Sequence, residues 1–370
     1  MTLDGSRDNA LKMMAAMGTS PWIDNITRDW FASGKLAELI SSGVMGLTSN
    51  PSIFAAAISS TPLYDEQISS LSNSGLAPSA IALELAKSDI SQACKLLDPI
   101  YAATQGKDGW ASIEVDPDLA FRSSETLEAA KALHKDIGAR NVLIKIPATN
   151  EGLGPIEEAI ALGIPVNVTL IFSIERYRDV YAAFLRGAQR FADSGGDLRS
   201  LGSVASFFVS RIDSAIDPLL EANGRDDLMG KAALAQAKLA YAAFGEISAT
   251  APAQDLFRAG LRPQRPLFAS TSTKNPAYPK LLYVENLIGP DSVNTMPLGT
   301  IEEMLRSGQP TPATVTHGLD EAQELMEATL VELGISMKQV TADLEAQGVE
   351  SFAEAWHHLS GEIAKKVAKV

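Results

Sequence analysis

The stretch VLIKIPAT, residues 142–149, places a single lysine, Lys145, inside a run of branched aliphatic residues that ends at a proline. A short apolar run bounded by turn residues is typical of a buried strand, and lysine is among the residues least often buried. In a (β/α)₈ barrel, alternate strand residues point into the barrel, and active sites lie at its C-terminal end. Desolvation at that position would provide the neutral amine that attacks a carbonyl carbon as a Schiff-base nucleophile. From this stretch alone, the alternatives are a solvated lysine on an edge strand and a lysine paired with an acid.

Segments of this kind recur along the chain. Strands are predicted, in order, over residues 22–26, 43–54 (running into a polar turn), 110–115, 142–147, 165–172, 202–211, 266–271 and 292–297. A helical or loop segment follows each of them, and this alternation predicts a single α/β-barrel domain over residues 1–370. A doubly wound sheet is the alternative, but no glycine-rich phosphate fingerprint follows the early strands.

Two segments are predicted to lie outside the barrel repeats. Residues 1–20 form an N-terminal extension, and residues 318–370 form C-terminal helices. The sequence SFAE at 351–354 matches a capping box, which predicts the start of a helix. An apolar stripe at helical spacing predicts that this helix packs on the barrel. The stripe consists of Phe352, Trp356, Leu359, Ile363 and Val367.

Composition excludes several classes of function. The net charge of −14 argues against a nucleic-acid-binding surface. The single cysteine, Cys94, precludes an internal disulfide and fits a reducing compartment. No signal-peptide core and no apolar run of membrane-spanning length occur, so a cytoplasmic protein without a membrane partner is predicted. No His-x-x-x-His or Cys-x-x-Cys spacing occurs, so neither a metal site nor a cofactor is predicted.

Polar residues gather at the ends of the predicted strands. A lone Asp or Asn at a strand end is most often a cap or turn residue. This set, however, contains an amine nucleophile and two carboxylates for proton transfer. It also contains hydroxyl and amide side chains that could bind a polyol, and two cations that could bind a phosphate. Carbon–carbon bond chemistry without a metal would need the lysine iminium as its electron sink. The residues are Asp24, Asn50, Glu114, Lys145, Asn167, Thr169, Ser206, Arg211, Ser270 and Lys274.

Two motifs resemble the signatures of the transaldolase family. GLTSNPSIF at 46–54 is similar to the first signature of that family, and VLIKIPAT at 142–149 is similar to the second, which carries its Schiff-base lysine. The family is also resembled in three further segments, residues 113–116, 167–173 and 206–211. The resemblance extends from about Pro21 to at least Pro297, and the chain length is similar to a longer bacterial subgroup of the family.

The resemblance implies catalytic roles. Lys145 would form the iminium with the C2 carbonyl of a ketose phosphate. Asp24 would take the C4-hydroxyl proton as the C3–C4 bond breaks. Glu114 and Thr169 would orient a water that relays protons.

The resemblance also implies a binding set. Asn50, Asn167 and Ser206 would hold the dihydroxyacetone hydroxyls, and Arg211 the phosphate. Phe208 matches a position where transaldolases carry phenylalanine and fructose 6-phosphate aldolases carry tyrosine. The segment from Ser270 departs from the arginine-bearing phosphate segment of the better-known subgroup, and Lys274 is assigned there as a substitute.

The resulting hypothesis is a transaldolase of the non-oxidative pentose phosphate pathway. It would move a dihydroxyacetone unit from sedoheptulose 7-phosphate or fructose 6-phosphate to glyceraldehyde 3-phosphate or erythrose 4-phosphate. Its partners would be small sugar phosphates, and it would be a monomer or a homodimer. The alternatives are a fructose 6-phosphate aldolase-type lyase and a non-catalytic barrel that serves as a binding protein.

Overall fold

Eight parallel strands close into a barrel in the computed structural model, which describes residues 9–368. Each strand pairs with the next in sequence, and β8 pairs with β1. This closure confirms the predicted (β/α)₈ barrel and excludes the doubly wound sheet. The strands are β1 (Thr19–Asp24), β2 (Gly46–Thr48), β3 (Ala111–Glu114), β4 (Val142–Pro147), β5 (Val166–Ile171), β6 (Ser203–Phe208), β7 (Arg265–Ala269) and β8 (Ser292–Met296).

Helices surround the barrel and bury nearly all of its strand residues. Every residue of β4, β5 and β6 is buried, as expected when parallel strands are covered on both faces. The helices are α1 (Ala10–Ala16), α2 (Arg28–Ser33), α3 (Lys35–Ser41), α4 (Pro51–Ser60), α5 (Asp65–Asn73), α6 (Pro78–Ala103), α7 (Ser123–Ile137), α8 (Leu153–Ala161), α9 (Ile174–Asp193), α10 (Ser210–Ala222), α11 (Ala232–Ser248), α12 (Ala251–Arg258), α13 (Leu282–Asn286), α14 (Leu298–Ser307), α15 (Leu319–Glu324), α16 (Leu330–Glu332) and α17 (Met337–Val367).

Three predicted strands have a boundary that was wrong by three residues or more. The first strand begins at Thr19 because residues 19–23 pair with residues 292–296 of β8. The second strand ends at Thr48, since Pro51 already begins α4. The sixth strand ends at Phe208, so Arg211 lies in α10 and not on a strand.

The C-terminal segment contains one long helix rather than a helix starting at the predicted capping box. Ser336 caps α17, and its hydroxyl accepts a hydrogen bond from the Gln339 backbone N–H. Ser351 therefore lies in the helix interior, and the capping-box prediction was wrong. The apolar stripe keeps the helix continuous, because Phe352, Trp356 and other stripe residues are buried against α4 and α6. Residues 1–8 of the predicted N-terminal extension and residues 369–370 lie outside the described residues.

Across the described part of the chain, no helix is both long and apolar enough to span a membrane.

Candidate active site

A cavity of about 460 Å³ opens at the C-terminal end of the barrel. Most residues predicted from the sequence line it: Asp24, Asn50, Lys145, Thr169, Ser206, Phe208, Arg211, Ser270 and Lys274. Two predicted residues do not line it. Glu114 and Asn167 are buried and pair with Lys145 in the strand register. The barrel therefore brings the predicted groups together from seven strands and the segments that follow them.

Lys145 projects from β4 and is 4% exposed. Its Nζ donates a hydrogen bond to the Ser49 carbonyl oxygen at 2.9 Å and lies 3.3 Å from Glu114 Oε2. The ring of Phe352 covers it, with its centroid 5.8 Å from Nζ. A closed barrel has no edge strand, so the solvated edge-strand alternative is excluded. The alternative of a lysine paired with an acid is partly correct, because Glu114 lies beside the amine. The amine nevertheless borders the cavity.

Glu114 is buried at the end of β3 beside the lysine. Burial raises the pKa of Glu114, and the positive charge of Lys145 opposes that rise. Within residues 9–368, neither carboxylate oxygen of Glu114 has a well-aligned hydrogen-bond partner, and the Thr169 hydroxyl has none either. Buried polar atoms are normally satisfied, so these two side chains have the capacity to bind a water molecule or a substrate hydroxyl.

The backbone of β5 is irregular beside Thr169. The register with β6 shifts between Val168 and Ile171, and Leu170 adopts a φ of +60°. A left-handed conformation is strained for a bulky residue such as leucine, and such strain costs on the order of 1–3 kcal/mol. The bulge interrupts the regular pairing of β5 with β6 at Thr169, which borders the cavity.

Asp24 is the last residue of β1, and its side chain borders the cavity. The Thr48 hydroxyl donates to Asp24 Oδ1 at 2.6 Å and lies 2.6 Å from the Thr295 hydroxyl. Loss of hydration raises the pKa of Asp24, while the nearby charge of Lys145 lowers it. A carboxylate with a raised pKa, held in place by a threonine, is suited to exchange protons with a ligand in the cavity.

The three predicted polyol-binding residues differ in how many of their hydrogen-bonding groups are already bonded within the protein. The Ser206 hydroxyl donates to Asn167 Oδ1 at 2.7 Å, and the Asn167 amide donates to Ser112 Oγ at 3.0 Å. Asn167 therefore positions Ser206 at the cavity wall. Asn50 caps α4 by accepting from the Ile53 backbone N–H at 3.0 Å, which leaves its amide N–H groups for a ligand.

Two cations border the cavity mouth in different environments. Arg211, at the second position of α10, is half-buried, and desolvation lowers its pKa. Its guanidinium lies 5.4 Å from the Phe208 ring centroid, and that ring is 5.2 Å from Phe172. Lys274 is exposed and donates to the Ser272 hydroxyl at 2.9 Å. Arg211 thus presents a partly desolvated, planar guanidinium suited to an anion, while Lys274 contacts its own loop and its charge acts on Asp24.

A pair of carboxylates on α10 holds the segment that carries Lys274. The Tyr283 hydroxyl donates to Asp213 at 2.8 Å, and the Tyr278 hydroxyl donates to Asp217 at 2.6 Å. Burial raises the pKa of Asp213 to about 7. The helix that presents Arg211 therefore also anchors the segment after β7.

Several cavity residues were not predicted from the sequence. Thr48 lies within the quoted GLTSNPSIF motif, and Thr295 is a polar residue near the end of β8, so the strand-end criterion would have found both. Ser272 lies in the hydroxyl-rich segment that follows β7. Phe352 gave no signal, because an apolar residue in a helical stripe is indistinguishable from core.

No group of three or more His, Cys, Asp or Glu side chains within the described residues is arranged to hold a metal ion.

Comparison with known proteins gives a consistent result. Residues 21–363 match the model of the family described as transaldolase/fructose-6-phosphate aldolase. A transaldolase of Arthrobacter sp. is 45% identical over 361 residues, which cover 96% of this chain and 97% of that protein. Transaldolase 1 of Streptomyces avermitilis is 45% identical over 368 residues, covering 98% and 97%. A transaldolase of Frankia alni is 41% identical over 365 residues, covering 98% of both chains.

Proposed function

This chain belongs to the transaldolase/fructose-6-phosphate aldolase family, as its sequence motifs predicted, and from this premise we propose the roles of its active-site residues. The protein is a transaldolase and therefore a transferase. The main observation that supports the proposed roles is that Lys145 is buried beside the Glu114 carboxylate and also lines a polar cavity.

We propose that Lys145 forms a Schiff base with the C2 carbonyl of a ketose phosphate. Glu114, 3.3 Å away, takes the proton that leaves the ammonium group, and the neutral amine then attacks C2. Loss of water from the carbinolamine gives the iminium. A water held between Glu114 and Thr169 would carry the protons, which is supported by the unsatisfied oxygens of both side chains.

Asp24 would act in the next step. Its carboxylate takes the proton from the C4 hydroxyl, the C3–C4 bond breaks, and the bonding electrons move into the iminium to give an enamine. The aldose phosphate leaves with the new aldehyde. An acceptor aldehyde then binds, the enamine carbon forms a bond with it, and Asp24 returns the proton to the new alkoxide. Water finally releases the product ketose from Lys145.

The donor and acceptor are proposed to be sugar phosphates. Sedoheptulose 7-phosphate or fructose 6-phosphate would serve as donor, and glyceraldehyde 3-phosphate or erythrose 4-phosphate as acceptor. Asn50, Asn167 and Ser206 would bind the hydroxyls of the dihydroxyacetone unit. Arg211 would bind the phosphate together with Lys274 and with Ser270, whose hydroxyl lies 2.9 Å from that of Ser210 beside Arg211. Phe208 would favour transfer over release.

Acceptor dependence tests this function. Glyceraldehyde 3-phosphate release from fructose 6-phosphate is expected to require erythrose 4-phosphate and to be accompanied by sedoheptulose 7-phosphate. The reason is that the enamine persists until an aldehyde accepts it. A coupled assay with and without erythrose 4-phosphate measures this. Equal release without the acceptor would indicate an aldolase, and no release under either condition would favour a binding protein.

Arg211→Gln is expected to raise the KM for fructose 6-phosphate by roughly 10–100-fold with a smaller change in kcat, because hydrogen bonds to charged groups contribute about 1.5–3 kcal/mol. Steady-state kinetics measure the separate changes in KM and kcat. Lys274→Gln is the matched variant and is expected to have a smaller effect, since Lys274 is exposed.

Fructose, which lacks the phosphate, provides the control donor for Arg211. Its turnover, slow in all forms of the enzyme, should be the same for the native chain and Arg211→Gln. An equal loss with fructose would show that Arg211 supports the fold of the mouth rather than the phosphate.

We propose a cytoplasmic enzyme, a monomer or a homodimer, that has no nucleic-acid partner. The compartment is supported by the single cysteine, Cys94, which is a free thiol and fits a reducing environment. The net charge of −14 supports the absence of a nucleic-acid partner.

A further inference from the structure

The long C-terminal helix α17 forms part of the wall of the active-site cavity. Phe352 is the residue of this helix that lines the cavity, although it lies far from every motif of the barrel in sequence. It is 5% exposed, and its ring centroid is 5.8 Å from Lys145 Nζ. The ring is therefore an apolar surface beside the reacting amine.

The helix is held firmly over the mouth. A Cβ atom built on Gly348 would lie 3.0 Å from Leu170 Cδ2 and 3.6 Å from Arg211 Nη1, so the helix backbone approaches the end of β5 closely. Farther along, Lys366 Nζ donates to Asp65 Oδ1 at 2.7 Å and to the Ile58 carbonyl oxygen at 3.1 Å. His357 Nε2 lies 2.8 Å from Asp118 Oδ2. These contacts hold the helix that carries Phe352 against the barrel.

We propose that Phe352, in addition to Phe208, controls how the enamine on Lys145 is partitioned between an acceptor aldehyde and water. This inference rests on the proposed function of Lys145. The enamine waits in the cavity after the first aldose leaves, and its nucleophilic carbon is open to protonation during that time. An apolar ring beside the lysine excludes the water that would deliver the proton.

The competing reaction has a defined product. The enamine carbon-carbon π electrons take a proton from water and form a C–H bond, which regenerates an iminium and leaves hydroxide. Addition of that hydroxide to the iminium carbon and cleavage of the C–N bond release dihydroxyacetone and the free amine. One water molecule is consumed in total. The ratio of dihydroxyacetone released without acceptor to ketose formed with acceptor therefore measures the partition.

The test compares two replacements of similar size. Phe352→Gln places a polar group against the lysine and is expected to raise the ratio by about tenfold or more, while Phe352→Leu keeps an apolar cover and should change it by less than about twofold. Ile363→Ala is the matched control. Ile363 is fully buried in the same helix but does not line the cavity, so its truncation should lower Tm without changing the ratio.

Two results would overturn the inference. An unchanged ratio in Phe352→Gln would mean that the ring only anchors the helix, and an equal rise in Ile363→Ala would mean that helix docking, not the ring, controls the partition. If Phe352→Gln does not fold, Phe352→Tyr keeps the ring and adds one hydroxyl, and an unchanged ratio in that variant overturns the inference as well. Failure of the proposed function is distinguishable, because the native chain would then show neither transfer nor a borohydride-trapped adduct.

Discussion

Lys145→Arg is expected to abolish the adduct that borohydride traps with fructose 6-phosphate and to lower kcat by on the order of 10⁴-fold or more. The guanidinium stays protonated, so it has no lone pair to offer the C2 carbonyl. The substitution keeps the positive charge beside Glu114, which avoids leaving that carboxylate as an unpaired buried charge. Intact-protein mass spectrometry after reduction measures the adduct.

A second variant tests the same buried position with an uncharged side chain. Lys145→Met retains the length of the side chain without its charge, and it should also fail to form the adduct. Both variants should unfold cooperatively, as measured by circular dichroism. An adduct of the expected mass in either folded variant would mean that another lysine is the nucleophile.

Asp24→Asn is expected to leave adduct formation largely intact while lowering kcat by about 10²–10⁴-fold, the range typical of a lost general acid–base group. An amide cannot take the C4-hydroxyl proton, so the C3–C4 bond does not break at a useful rate. The Thr48 hydroxyl can still donate to the amide oxygen, so the position of the side chain is maintained. Single-turnover kinetics separate imine formation from bond cleavage.

The expected signature of this variant is accumulation of the ketose iminium. Borohydride should trap more of the full-length ketose adduct, and less of the dihydroxyacetone adduct, than in the native enzyme. Normal turnover would remove Asp24 from the proton transfer. A loss of trapping equal to that of Lys145→Arg would instead assign Asp24 to the formation of the Schiff base.

The barrel and its lysine were predictable because their signals are local. A buried strand is encoded by a run of apolar residues, and the polar residue inside such a run, Lys145, is conspicuous. The strand-end rule located Asp24, Glu114 and Thr169 for the same reason, since the ends of parallel strands converge at one face of a barrel. The transaldolase motifs then indicated the chemistry.

Three features depend on contacts between distant parts of the chain. The first is the role of Asn167, which positions Ser206 through a hydrogen bond instead of lining the cavity. The second is the contact between Thr48 and Thr295, which exists only because β8 closes against β1. The third is Phe352, whose apolar periodicity is that of an ordinary core residue. Local patterns specify which side chains are buried, whereas the closure of the barrel and the packing of α17 specify which groups each buried side chain meets.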